Sequence, residues 1–571
     1  MKKKKSQTSE VVTSFHTPTS NDIFFIPLGG TDEVGMNFSL IGHDGEWLIV
    51  DCGITFHDRV GIEVLTADPS FIIKNKLKVS GLLLTHAHED HIGAIEYLWP
   101  LLKCPVYATP FAGAILRQKT RDKSWKTNMK VHELEFKTSV TVGKYEVEAL
   151  QMSHSIPEPA CFIIRTPLGT LVHTGDWKIE SAPVLGKKVD ERYLKQIGDR
   201  GVLAYFSDST NIFTKEDDSS EKRVRECLID LVQKHSDKRI TVACFSSNIA
   251  RLETAIIAAK QAGRKVAVVG LSLQRMIAAA KETGYLSDIP NLIDEKTAAS
   301  MPGNKVLLLC TGSQGEGRSA LVKIATGTHP HIKMGADDLV LFSSRVIPGN
   351  EKNIGSLQSL LAKTGTDIIT SSEENIHVSG HPSCKTIKKM YDLLRPQIVV
   401  PVHGEARHLI AQSHFARGHG IPHVITPTNG TVIQLAGATP GIIGSVPCGK
   451  WAVDGKRMVD FHGSVIQERT ILSEQGAIFI TVAMNENLIA SIDVRLLGLM
   501  TPGNLYNELK NCITDELRDL FNQKEIQNSA ARNAASNANV ANQCISRLVK
   551  FKIGKRPIVH THIVGSGQLD E

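Results

Sequence analysis

The sequence predicts a layered α/β protein in which one α/β domain is inserted into another, followed by a smaller α/β appendage. Three observations carry this reading. From Asp22 onward, short apolar runs each end in Gly, Asp or His (IFFIPLGG, NFSLIGHDGEWLIVDCG, VSGLLLTHAHEDH, CPVYAT), a pattern of strands whose loops carry chemistry. After about residue 214 the texture changes: SSEKRVRECLIDLVQKH has helical periodicity. RITVACFSSN, RKVAVVG, NKVLLLCTGSQGEG and DDLVLFSSRVIPG then alternate with helical segments, as in a doubly wound parallel sheet. From residue 373, histidine-bearing strand ends return in IHVSGHPS and IVVPVHGE, so the second domain interrupts the first.

Taken in order, residues 1–21 (MKKKK, then SQTSEVVTSFHTPTSN) form a polar, basic tail expected to be disordered and solubilising. No apolar run follows the lysines, so export is not expected. Residues 22–213 are the first part of the outer domain, and include YEVEALQMSHS, ACFIIRTPLGTLVHTGDWK and GVLAYFSDSTN. Residues 214–372 are the insert and 373–445 the second part of the outer domain. Residues 446–571 are a linker and a C-terminal domain, where AIFITVAM and an Asn/Ala-rich helical stretch point to packing or oligomerisation.

At 571 residues the chain is too long for one core, and its 42% hydrophobic and 22% charged residues are those of a globular protein. The net charge of +6 owes four charges to MKKKK, so the body is near neutral and any nucleic-acid contact must come from a local groove. Aromatic residues are only 5%, which disfavours extended base stacking and suits a groove that tracks a phosphate backbone. The ten cysteines contain no CxxC pair, as expected for reduced thiols in a cytoplasm, and no apolar run reaches membrane-spanning length.

The densest chemistry is THAHEDHIGA, between the strand VSGLLLT and the helix IGAIEYLW. His86, His88, Asp90 and His91 on such a loop can serve two adjacent ions, and neutral imidazole with carboxylate suits zinc, with manganese as an alternative. A loop that only caps a helix needs one Asp or Ser, not three histidines. HxHxDH supplies too few ligands for two metals. His154 in QMSHS, Asp176 after Gly175 in VHTGDWK, and His403 in VVPVHGE lie at strand ends and complete the set. Ser246, Ser247 and Asn248 in CFSSNIAR offer hydroxyls and helix-start amides for a phosphate, and Arg251 could add charge.

In that order, THAHEDHIGA, DCG with Asp51, His154, HTGDWK and PVHGE resemble the metallo-β-lactamase superfamily. An insert marked by SDSTN, HVSGH and PVHGE resembles the β-CASP nucleases, and TGSQGE, IPGNE and HVSGH resemble the ribonuclease J family among them. The resemblance covers residues 22–440 closely and the tail loosely. It implies a metallo-β-lactamase αββα sandwich with an inserted doubly wound β-CASP domain and a small C-terminal α/β domain. It further implies two zinc ions per subunit, with manganese or magnesium able to serve in activity. His86, His88 and His154 would hold one ion, Asp90, His91 and His403 the other, Asp176 would bridge, and Asp51 would orient ligand histidines from behind.

By the same resemblance His381 would protonate the leaving group, Asp208 would keep it charged, and Asp90 would take part in catalysis as well as binding. Without the resemblance, Asp208 reads equally well as an Asx turn before Asn211. His377, Val378, Ser379, Gly380 and His381 match the family's phosphate-binding segment, while Gly312, Ser313 and Gln314 read either as a tight turn or as a substrate contact. The implied activity is 5′-to-3′ exonuclease on 5′-monophosphorylated single-stranded RNA together with endonuclease cleavage, in rRNA processing, RNA maturation and mRNA decay. The implied partners are a second or further copies in a homodimer or homotetramer, and an RNA-degradation complex. A β-CASP DNA nuclease and a small-molecule metallo-hydrolase are the alternatives. Three departures stand out: Ala87 where Gly is usual, Gly317 and Arg318 after TGSQGE, and Pro382, which restricts His381.

Overall fold

The computed structural model of the chain describes residues 16–58, 60–215, 220–485, 488–522 and 534–565. Among these, eight strands form one mixed sheet in the spatial order Gly441–Ser445, Thr431–Ala436, Ile23–Gly29, Phe38–His43, Glu46–Val50, Lys78–Leu83, Val106–Ala108 and Val131–Glu133. Seven form a second, in the order His423–Val424, Ile398–Val402, Ala204–Asp208, Gly169–His173, Ala160–Thr166, Tyr145–Gln151 and Ser139–Val142.

The inner strands, among them Ile23–Gly29, Glu46–Val50, Ala204–Asp208 and Ile398–Val402, are buried along their whole length because both faces are covered, whereas edge strands such as Ser139–Val142 and Gly441–Ser445 are partly exposed. In Ala160–Thr166, Ala160, Phe162 and Ile164 enter the core between the sheets, where they meet Phe25, Ile41 and Leu48 of the first sheet. Their alternates Cys161 and Ile163 turn outward onto Leu194, Ile387 and Met390 of the covering helices Glu191–Asp199 and Cys384–Leu394. On the far side, helix Pro110–Lys119 lies against Val106–Ala108 and Val131–Glu133 of the first sheet. The result is an αββα sandwich, closed by strands from both ends of the insertion.

The insert holds a five-stranded parallel sheet in the order Lys265–Val269, Val306–Cys310, Arg239–Ala243, Asp338–Phe342 and Asp367–Thr370. The first of these strands in the chain lies in the middle, so the winding reverses there, and ligands of such sheets bind at carboxyl ends beside the reversal. Two of its helices, Glu221–Lys234 and Ile249–Gln261, start on side-chain caps: Ser220 Oγ accepts from Arg223 N at 3.2 Å and Asn248 Oδ1 from Arg251 N at 3.0 Å.

The first 15 residues of the expected tail lie outside the described residues. Its end departs from the expected disorder: Pro18 is buried, its carbonyl accepts from Gly45 N at 2.8 Å, and Thr19 O accepts from Asp44 N at 3.1 Å. A polar segment is ordered here because a neighbouring turn uses its backbone acceptors.

The described residues within 56–64 and 450–565 form a second compact unit. It contains the hairpin Lys450–Asp454 with Arg457–Asp460, the helix Ser464–Gln475, and a sheet in the order Leu488–Leu497, Ala477–Asn485, Ile558–Gly565. Helices Asn504–Asn522 and Ala534–Ile553 cover one face, burying Ile478, Ile480 and Val482 against Ile513, Leu517 and Ile545.

Candidate metal centre

The histidine-rich loop leaves the strand Lys78–Leu83 and turns at once into the short helix Glu89–Ile92. Its backbone is gripped from behind by the strand end that carries DCG. Cys52 N donates to His91 O at 2.7 Å, and Asn37 N to Asp90 O at 2.9 Å. Gly53 is required by this approach, since a Cβ there would lie 1.7 Å from the Asp90 carbonyl oxygen. Asp51, in the left-handed region with φ 62°, ties the loop's side chains together. Its Oδ1 accepts from Thr85 N at 2.8 Å and its Oδ2 from His91 Nδ1 at 2.7 Å.

That bond turns His91 Nε2 inward. The hydroxyl of Thr85 donates to Asp51, at 2.9 Å from Oδ2, and so accepts from His86 Nδ1 at 3.0 Å, which frees His86 Nε2. His154 Nδ1 donates to Gly380 O at 2.7 Å, with the same effect on its Nε2. The freed nitrogens converge: His86 Nε2 is 2.9 Å and His154 Nε2 is 3.1 Å from His88 Nδ1. Asp176 Oδ2 sits 3.8 Å from both of those Nε2 atoms and 3.3 Å from the Nε2 atoms of His91 and His403. Asp90 Oδ2 lies 3.6 Å from His91 Nε2 and 3.7 Å from His403 Nε2. Two groups result, His86/His88/His154/Asp176 and Asp90/His91/His403/Asp176, each with its donor atoms within 4.8 Å of one another.

These residues fit a divalent cation. Ring nitrogens facing one another cannot all satisfy their lone pairs with so few protons between them. Asp176 Oδ1 and His403 Nδ1 are also buried without a hydrogen-bond partner. Burial first, and then neighbouring imidazoles, hold His86 and His88 well below the ordinary histidine range; burial and His381 push His154 down to about 3. All three are therefore neutral donors. Burial opposes the charge of His91 and His403 too, but Asp176 and its neighbouring carboxylates outweigh it and raise both. Burial likewise opposes the charge of Asp176, yet His403, His91 and His381 keep it an anion, well below the usual carboxylate range.

Beside this cluster His381 Nδ1 donates to Asp208 Oδ2 at 2.7 Å and lies 3.8 Å from Asp176 Oδ2. Asp208 ends the strand Ala204–Asp208, whose parallel partner Ile398–Val402 delivers His403; Asp208 pairs with Val402. The other oxygen of Asp208, Oδ1, accepts from Thr210 N at 2.9 Å as in an Asx turn. Burial opposes protonation of His381, but Asp208 and Asp176 raise it to about 9, so it is cationic at neutral pH.

Comparison with known proteins bears on this geometry. Family models match along the chain: Metallo-beta-lactamase superfamily over residues 32–227, Ribonuclease J, beta-CASP domain over 237–361, Zn-dependent metallo-hydrolase RNA specificity domain over 356–427, and Ribonuclease J C-terminal domain over 464–566. Ribonuclease J of Sinorhizobium meliloti is 36% identical over 552 residues, spanning 95% of this chain and 97% of that protein. The chain belongs to the ribonuclease J family. Ribonuclease J 1 of Streptococcus pyogenes serotype M3 is 34% identical over 91% of this chain and 94% of its own, and ribonuclease J of Mycolicibacterium smegmatis 37% over 80% and 82%. A crystal structure of a protein of unknown function from Enterococcus faecalis V583 shares the fold at 16% identity, with a TM-score of 0.52 over 72% of this chain and all of that one.

The segment that resembles this family's phosphate-binding stretch, His377 to His381, runs past the cluster. Gly380 has no room for a side chain, since a Cβ would stand 2.5 Å from His154 Nδ1. His377 Nδ1 is buried without a partner, and burial with Arg251 and Arg345 nearby lowers the ring to about 3, leaving it neutral. Ser246 and Ser247 are half-buried before the helix Ile249–Gln261, and the Asn248 side chain caps that helix.

Arg251 corrects the sequence reading. It is fully buried and paired with Glu221 at 2.9 Å, and it donates to the carbonyls of Ser343 and Ile376 at 2.9 and 2.7 Å. It therefore fastens the backbone leading into His377 and adds no free charge to a phosphate pocket. Gln314 is buried, and both ends of its amide hold the loop after the strand Asp338–Phe342. Sequence reasoning missed Thr85, although it opens the THAHEDH motif. It also missed Asn37, whose Nδ2 lies 3.1 Å from His91 Nε2 and whose only local signal is its place before a strand.

Proposed function

We propose that the chain is a divalent-metal-dependent ribonuclease that degrades RNA from 5′-monophosphorylated ends and also cuts internally. The observation that carries this is the shared carboxylate: Asp176 belongs to both ligand groups, and the cationic His381 stands 3.8 Å from it. When bound, two divalent cations, which we take to be zinc, supply Lewis-acid stabilisation of phosphoryl oxygens and lower the pKa of an attacking water. The neutral imidazoles of His86, His88 and His154, with His91, His403 and Asp90, are the assigned ligands, and Asp51 and Thr85 orient them.

In-line attack of water forms one P–O bond and breaks the bond to the departing ribose oxygen. We assign His381 Nε2 the proton for that oxygen, with Asp208, bonded to His381 Nδ1 at 2.7 Å, keeping the ring charged until then. Asp90, with 31% of its side chain exposed against 3% for Asp176, is the carboxylate best placed to take the water's proton. The segment 377–381, with Ser246, Ser247 and Asn248, holds the 5′ phosphate. His154, Lys178, Asn248 and Gly380 also border an adjoining open pocket.

RNA rather than DNA is supported by the family models and by the relatives' names. The C-terminal unit is the assigned oligomerisation domain of a dimer or tetramer, and an RNA-degradation complex is the wider setting. Cytoplasmic location fits ten free cysteines, and no described helix is long and apolar enough to cross a membrane. The test uses one RNA with a 5′ monophosphate or a 5′ triphosphate, with and without chelator. Mononucleotides from the monophosphate form alone, abolished by chelator, support the proposal. Internal fragments from both forms remove the end-sensing role of residues 377–381, and cleavage of neither RNA removes the ribonuclease assignment.

A further inference from the structure

We propose that Arg345, held by Gln314 on the loop after the strand Asp338–Phe342, binds a phosphate of the RNA beside His381. This rests on the ribonuclease reading above. The loop leaves the central reversal of the inserted sheet, where the neighbouring strand Arg239–Ala243 runs into Ser246 and Ser247. Gln314, only 3% exposed, spends its whole amide here: Nε2 donates to Arg345 O at 2.8 Å, and Oε1 accepts from Ile347 N at 2.9 Å. A buried amide used this way fixes the backbone of an otherwise exposed segment.

The side chain that the staple presents is exposed and cationic. Arg345 Nη1 donates to Asn211 Oδ1 at 3.1 Å, and Asn211 Nδ2 donates in turn to His381 O at 3.4 Å. Thr214 Oγ1 also donates to Asn211 Oδ1, at 2.8 Å, so the amide is oriented without help from the arginine. Among the described residues Arg345 makes no ion pair, which leaves most of its five N–H donors free. A guanidinium held one residue away from the proposed proton donor, with no carboxylate to neutralise it, is suited to a planar oxyanion, and a phosphate accepts it through two oxygens. The TGSQGE motif thereby acquires a role, because Gln314 does not touch the substrate but sets the loop that does.

Steady-state cleavage of 5′-monophosphate and 5′-hydroxyl single-stranded RNA, followed over a salt series, tests this with the intact metal-loaded protein and the variants Arg345→Gln and Arg345→Lys. Arg345→Gln is expected to raise KM on the order of ten-fold, as for loss of a charged hydrogen bond, with kcat little changed. The slope of log KM against log salt is expected to fall by ~0.7, the value of one single-strand phosphate contact, and Arg345→Lys to restore the slope. A loss confined to the monophosphate RNA makes the contact the terminal phosphate, and equal losses make it a backbone phosphate; either supports the proposal. An unchanged salt slope overturns it, as does a fall in kcat alone with a shifted pH profile, since Arg345 would then act only by holding Asn211. If the unaltered protein cleaves neither RNA, the ribonuclease reading fails, a result distinct from both.

Discussion

Asp51 touches neither of the two ligand groups' shared oxygen, yet Asp51→Asn is expected to weaken metal binding ten- to a hundred-fold at the group containing His91. Asn tolerates the positive φ of 62° that Ala would not, so the backbone stays in place. The carboxylate receives His91 Nδ1 at 2.7 Å on one oxygen and Thr85 N at 2.8 Å on the other. An amide has one acceptor, so whichever way it turns, an NH2 meets a donor. The lost bond is a charge-assisted one in a buried place, a loss of about 1.5–3 kcal/mol. Tenfold in affinity is about 1.4 kcal/mol, so this converts to the range typical for residues that orient metal ligands. Chelator competition on the metal-loaded protein measures it, with the melting temperature as control. Full-strength binding at both steps, in a variant that folds normally, would refute the idea that Asp51 aims His91.

Two further outcomes follow from other contacts. His381 is raised to about 9 against its burial chiefly by Asp208, so its proton is present below that pH and lost above it. Asp208→Asn should therefore move the alkaline limb of the kcat profile downward, toward the ordinary histidine value of about 6.5, and lower kcat at pH 8; a limb that stays put excludes His381 as the group titrating there. Arg251→Met leaves the buried Glu221 without its cation, a loss of about 3–5 kcal/mol, and should lower the Tm of the inserted domain on the order of 10 °C in calorimetry. Burial raises Glu221 and Arg251 is what lowers it, so the variant should regain part of the loss at acidic pH; a Tm unchanged at all pH values contradicts the pairing.

Much of the αββα sandwich and its insertion was legible because both features write local patterns: apolar strands ending in chemically active loops, then strands alternating with helices. The first half of the centre was legible for the same reason, since His86, His88, Asp90 and His91 share one loop. His154, Asp176 and His403 are single residues at strand ends, and only their order within a resemblance joined them to it. What stayed hidden is long-range. Arg251 looks like a spare charge beside a phosphate cradle until the fold brings Glu221, Ser343 and Ile376 around it. Gln314 looks like part of a turn until its partners 31 and 33 residues away are in view. The order from His16 to Asn21 was hidden too, because what holds it is the turn at Asp44 and Gly45, not its own composition.

The central claim is that one cluster of imidazoles and carboxylates, shared through Asp176, drives hydrolysis of RNA. Its most direct test strips the protein of metal with a chelator and titrates zinc back while following both bound metal and cleavage of 5′-monophosphate RNA, beside His403→Ala. The expected result is two equivalents per chain, activity that returns as the second is filled, and a variant that binds only one and stays inactive. RNA cleavage that persists in fully stripped protein, or full activity in the variant, would contradict it.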